Sequence, residues 1–192
     1  MIYCLSLGSN IAPQEHIGRA LAQLCQQFHA AIVYPVLRTS PCAIESERSF
    51  LNTIAVIDSD WTPEQLKQWL NQLEEAHGRN RADPERSHKD RTLDIDILTT
   101  QKQLSWLKAS EFTEPYVQAS IHALQTPSPQ SVIVQVGDSS LGDSSLGKCS
   151  LGNRPATIYT NHSSGHIFVV EDTLDGLLQC FKTTLNRQQR LA

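Results

Sequence analysis

Residues 92–98 read Thr-Leu-Asp-Ile-Asp-Ile-Leu, and this alternation constrains the fold more than any other stretch of the chain. Successive side chains of a β-strand point to opposite faces, so Leu93, Ile95 and Ile97 belong to a core while Thr92, Asp94 and Asp96 share the other side. Two carboxylates side by side repel, and one pKa would rise unless a cation lay between them. A hard divalent ion with oxygen ligands, here magnesium, answers that need. Just upstream, Arg79, Arg81, Arg86, Lys89 and Arg91 crowd into one short segment, a poor composition for a core and a good one for gripping phosphate oxygens. Metal-binding acids beside arginines point to a polyphosphate nucleotide. Each half alone has a plainer reading, as a solvated strand face and a solvated loop. Their adjacency, between two predicted elements, is what favours a phosphate and metal site.

The preceding chain supplies the frame for that strand. Residues 2–7 alternate and then meet Gly8-Ser9-Asn10, which reads as a first strand ending in a turn. After Pro13, Ile17, Ala20, Leu21, Leu24, Cys25 and Phe28 recur at helical spacing and give one buried stripe. Residues 31–37 read as a second strand, 42–49 as a polar loop and 50–57 as a third strand. A second helix starts with Thr62 as N-cap, Pro63 at the first helical position and Gln65 closing a capping box. It buries Leu66, Trp69, Leu70 and Leu73, and Gly78 is placed just past its end. With the Asp-x-Asp strand the order becomes β-α-β-β-α-β. That order predicts an α+β fold, a ferredoxin-like sandwich with both helices on one face of an antiparallel sheet.

Residues 1–124 form the expected domain, and residues 125–192 a C-terminal extension packed on it. Residues 106–124 read as a loop followed by a short helix. Strands are expected at 131–136, 156–160 and 167–171, and a terminal amphipathic helix keeps Leu174, Leu177, Leu178, Phe181 and Leu185 in phase. Between them three pentapeptides, SSLGD, SSLGK and CSLGN, occupy residues 139–153. Three copies bury too little for a solenoid, so the repeat reads as an expanded surface loop. Residues 142–149, GDSSLGKC, approximate a phosphate-binding P-loop but fail its chemistry. Cys149 replaces the magnesium-binding hydroxyl, and Gly and Pro follow where a helix should begin.

At 192 residues and a formal net charge of −4, the chain has room for one full core and no general attraction to nucleic acid or membrane. Five scattered cysteines argue against a disulfide framework or a structural zinc site, and Cys4 and Cys25 fall at apolar positions of the core. The N-terminus lacks a basic leader and no run approaches ~20 apolar residues, which predicts a cytoplasmic protein.

Leu5-Ser6-Leu7-Gly8-Ser9-Asn10, Arg38-Thr39-Ser40-Pro41, Phe50-Leu51-Asn52, Gly78-Arg79-x-Arg81 and residues 91–98 stand in an order and spacing that resemble 6-hydroxymethyl-7,8-dihydropterin pyrophosphokinase of folate biosynthesis. The resemblance covers residues 1–98 and implies the ferredoxin-like fold. It also implies transfer of pyrophosphate from ATP to the pterin, releasing AMP. On that resemblance Asp94 and Asp96 hold two magnesium ions, and Arg79, Arg81 and Arg91 are catalytic-loop arginines. Asn71, Glu74, Arg79, Arg91 and Ile97 contact ATP, Ile97 beside the adenine. Thr39, Ser40, Cys42, Phe50 and Asn52 form the pterin pocket, Phe50 stacking on the ring and Asn52 bonding its edge.

Several residues depart from the family pattern. Residues 87–90, Ser-His-Lys-Asp, stand where the family has a Trp-Gly-Pro-like run, and Tyr116 stands for a His beside the proline. His122 falls where a phosphate-contacting Arg is usual, and Leu124 near the place of a second stacking Phe. The expected partners are small molecules, with no nucleic acid and no membrane, and the chain is expected to be a monomer. A non-catalytic relative that binds nucleotide or pterin is the alternative. A ferredoxin-like nucleic-acid module lacks the aromatic sheet signature and basic surface it would need.

Overall fold

In the computed structural model of the chain, residues 1–41, 46–80, 82–84, 89–136, 149–161 and 164–189 are described. They run β1 (Ile2–Ser9), α1 (Pro13–Phe28), β2 (Ala30–Val33), β3 (Leu37–Thr39), β4 (Phe50–Asp58), α2 (Pro63–Ala76), β5 (Asp94–Gln101), α3 (Pro115–His122), β6 (Val134–Val136), β7 (Cys149–Leu151), β8 (Ala156–Thr160), β9 (Ile167–Glu171) and α4 (Leu174–Gln189). The fold is mixed α/β. Its main sheet runs β5-β1-β4-β2-β8-β9, with β3 beside β4 and each of these pairs antiparallel.

Local chemistry sets the element ends. The capping box of α2 forms: Thr62 Oγ1 accepts from the Gln65 amide at 3.3 Å, and the Thr62 amide donates to Gln65 Oε1 at 2.8 Å. Gly78 follows the last turn with φ 91°, and the Arg79 amide donates back to the Glu74 carbonyl at 3.1 Å. The single strand expected over residues 31–37 is instead two short ones, because Pro35 carries no N–H for a ladder.

The sheet is covered on both faces, by α1 and α2 on one and by α3 and α4 on the other. Beneath one face Leu21, Leu24 and Phe28 of α1 and Leu66 and Leu70 of α2 meet Leu5, Leu7, Ala55 and Ile95. The small β6–β7 sheet packs on α1 and adds Val134, Val136 and Leu151 to that core. Over the other face, Val117 and Ile121 of α3 and Phe181 of α4 meet Cys4, Ile32, Ile54 and Val56. β1 and most of β4 are therefore buried on both sides, so their alternation is apolar against apolar. Fully burying one such Leu is worth about 1.5–3 kcal/mol, so both layers matter to stability.

The extension joins this body. β8 pairs with β2, β9 with β8, and Thr157 Oγ1 donates to the Leu177 carbonyl of α4 at 3.1 Å. The third pentapeptide is not a surface loop: Cys149–Leu151 is β7, with Leu151 in the core. The first two copies lie outside the described residues. No described helix is long and apolar enough to cross a membrane.

Candidate active site

The two-residue period of the strands turns one sheet face from apolar to polar along its length. In register, Cys4 of β1 pairs with Val56 of β4, then Ser6 with Ile54, then Gly8 with Asn52; on the other side Ser6 faces Asp96 and Gly8 faces Asp94. One end of this face lies under α3 and α4, and the other opens into a cavity. Asp94, Asp96, Asn52, Phe50, Ser6 and Gly8 line it, along with Thr39 and Ser40 of the β3 end, Arg91, and Tyr116 of α3. Its accessible volume is about 70 Å³. At the β4 side Asn52 Nδ2 donates to Thr39 Oγ1 at 2.6 Å, and the Asn52 oxygen lies over Gly8 so closely that a Cβ there would sit 2.7 Å away.

The acidic side is held by cations of the chain. Arg79 and Arg91 each pair with Asp94 through a short contact, and Arg79 also reaches Glu74 Oε2 at 3.2 Å. Burial pulls the Arg79 pKa down, but the hydrogen bond and charge of Asp94, with Glu74 and Asp96, push it above its ordinary value. Asp96 pairs with Lys67 Nζ of α2 at 2.8 Å. Glu74 is 1% exposed, and its Oε1 accepts from the Ile95 amide at 2.8 Å, so it anchors β5 to α2 instead of lining the cavity. Ile97 packs against the core under α2, and Asn71 is half-buried on that helix.

Loop residues meet at Asp90. Ser46 Oγ and Asn10 Nδ2 both donate to Asp90 Oδ1 at 2.6 Å, and Asn10 Oδ1 accepts from the Arg91 amide at 2.7 Å. The Ser46 bond foremost, then that of Asn10 and the charge of Arg48, hold Asp90 below the ordinary carboxylate value despite partial burial. Burial raises the Tyr116 phenol, with Ser6 opposing and Asp96, Glu114 and Asp94 adding to it, so at neutral pH it is a hydrogen-bond donor. Cys42 and Arg81, both expected at the site, lie outside the described residues, as does Arg86.

The donor set suits magnesium. Two carboxylate oxygen donors share one cavity wall, and among the described residues no third His, Cys, Asp or Glu joins them in a cluster. Magnesium commonly takes one or two carboxylates and completes its shell with water and substrate phosphates.

Comparison with protein families matches residues 4–133 to 7,8-dihydro-6-hydroxymethylpterin-pyrophosphokinase (HPPK). The chain belongs to this family. Three proteins named 2-amino-4-hydroxy-6-hydroxymethyldihydropteridine pyrophosphokinase are among its relatives. The Bacillus subtilis protein is 33% identical over 103 residues, covering 52% of this chain and 59% of that protein. The Haemophilus influenzae protein is 30% identical over 97 residues, 49% of this chain and 59% of that one. The Pseudomonas aeruginosa protein is 30% identical over 123 residues, 62% of this chain and 74% of that one. The chain thus matches less than two thirds of the length of the first two relatives.

The family match ends at residue 133, so β6, β7, β8, β9 and α4 lie beyond it. Within the HPPK segment, Ser6, Gly8, Lys67, Asp90 and Tyr116 join the expected residues at or around the cavity. Ser6 and Gly8 were within reach of the sequence, since the row Cys4, Ser6, Gly8 turns small and polar two by two. Lys67 was not, because its place depends on how α2 lies along β5.

Proposed function

We propose that the chain transfers the pyrophosphoryl group of ATP to the hydroxymethyl oxygen of 6-hydroxymethyl-7,8-dihydropterin in folate synthesis, releasing AMP. The observation that carries this reading is one cavity, in a chain of the HPPK family, where Asn52 and Phe50 of β4 lie across from Asp94 and Asp96 of β5. Asn52 offers an amide to the heterocycle edge and Phe50 a ring to its face, while Thr39 and Ser40 close that side; Cys42 is a further pterin-binding residue that the family resemblance implies. Two magnesium ions held by Asp94 and Asp96 would supply charge neutralisation along the triphosphate. Arg79, Arg81 and Arg91 donate to the phosphate oxygens as the hydroxymethyl oxygen bonds to the β-phosphorus and the bond to the α–β bridging oxygen breaks. The hydroxyl proton passes to solvent, and AMP carries away the bridging oxygen. Asn71, Glu74 and Ile97 serve the nucleotide side, Glu74 by holding Arg79 and the β5 backbone.

The strand order β5-β1-β4-β2 supports a ferredoxin-like core within residues 1–124. Residues 125–192 complete the same body, and the protein acts as a cytoplasmic monomer without nucleic-acid or membrane partners. Incubation with ATP, magnesium and the pterin, with nucleotides separated by anion exchange, is expected to release AMP in step with pterin consumption. Asp96→Asn should abolish that release. Binding of ATP and pterin by calorimetry without any AMP would instead support a binding module, the reading that Tyr116, His122 and Leu124 favour as departures from the family pattern.

A further inference from the structure

Both acids of the cavity wall are already matched by cations of the chain, but in unequal ways. Asp94 is enclosed between Arg79 and Arg91, whereas Asp96 is 59% exposed and its ion-pair partner is Lys67, itself 38% exposed. β5 is the edge strand of the sheet and α2 lies under the opposite face, so Lys67 reaches its partner around the free edge. Its Nζ donates to the Ile95 carbonyl at 3.0 Å and to Asp96 Oδ1 at 2.8 Å. A lysine offers what this place needs: a compact point charge on a flexible stem, able to leave one oxygen without disturbing a planar fork.

We propose that Lys67 is a displaceable counter-ion for the metal site: it neutralises Asp96 before a divalent ion arrives and competes with that ion for the same carboxylate. This rests on the reading of Asp94 and Asp96 as metal ligands. The pair is exposed and its strength is correspondingly small, so the competition is modest. A divalent ion gains more from Asp96 than an ammonium does, and the phosphates of a bound nucleotide add to that gain. Lys67 therefore raises the metal concentration needed by the free protein and matters less once nucleotide is bound.

The test is manganese binding, followed through the paramagnetic resonance signal of the free ion, with wild type, Lys67→Met, Lys67→Gln, Lys67→Arg and Asp96→Asn, each checked for folding by circular dichroism. Without nucleotide, Lys67→Met and Lys67→Gln should bind manganese about three- to tenfold more tightly than wild type. Lys67→Arg should stay close to wild type, and the gain should vanish in an Asp96→Asn background. Adding a non-hydrolysable ATP analogue should shrink the difference. Unchanged or weaker binding in both neutral variants, while wild type binds through Asp96, overturns the counter-ion role alone and leaves Lys67 as a cap on the strand edge. No manganese binding by any variant, even with the analogue, overturns the metal reading and this proposal together.

Discussion

At Gly8 a hydrogen atom is all the space the Asn52 oxygen leaves, and this fixes an experiment. Gly8→Ala would put a methyl 2.7 Å from Asn52 Oδ1, so the amide must swing and lose its bond to Thr39. The expected outcome is about a tenfold loss of pterin affinity, the worth of one hydrogen bond, with nucleotide affinity changed far less. Calorimetric titration of each ligand checks both halves. A second residue carries a pH dependence. His16 Nδ1 lies 2.9 Å from His77 Nδ1, and His77 Nε2 lies 2.8 Å from Gln23 Oε1. The amide oxygen requires a proton on His77 Nε2, which leaves His77 Nδ1 to accept and His16 Nδ1 to donate. Burial lowers the His16 pKa below 6.5, with Glu15 opposing and Arg19 assisting. An imidazole whose folded pKa is depressed binds its proton more readily unfolded, so stability falls as pH drops through 6.5 toward the folded value. Calorimetric melting between about pH 7.5 and 5.5 should show this fall, and His16→Asn should flatten it.

Among the elements, α2 was legible from the sequence down to its first hydrogen bonds, because a capping box is a local arrangement of four residues. Thr62→Ala should therefore cost about 1 kcal/mol in urea unfolding and leave ligand binding unchanged, since the cap is remote from the cavity. β5 was legible for the same kind of reason: Leu93, Ile95, Asp94 and Asp96 announce their faces by alternation alone. The second apolar layer was not. Cys4, Ile54 and Val56 sit among residues that are apolar on both sides, a pattern that does not say what covers the far face. The break at Pro35 was readable in principle, yet the apolar run around it outweighed a single residue. At the cavity, the acids stood out by type and spacing, whereas Asn52 and Phe50 came through the resemblance to the family. Lys67 and the Ser46, Asn10 and Asp90 junction depend on how distant segments come together, which no local pattern encodes.

For the molecule as a whole, the outer strands β8 and β9 and helix α4 finish a sheet begun at the N-terminus. A chain ending at residue 124 would leave β2 without β8 and strip Phe181 from the second core. Such an edge is open to pairing with other chains, and the truncated protein should aggregate or bind a hydrophobic dye; light scattering and dye fluorescence measure this. A soluble 1–124 fragment with cooperative unfolding would instead mark the extension as separable. The pairing of Ala30 with Tyr159 also reaches into biosynthesis. At about 5–20 residues per second, a ribosome delivers β2 on the order of ten seconds before its partner. Throughout that interval the nascent chain carries a bare strand edge, so the yield of folded protein should be governed by how well chaperones occupy it during translation.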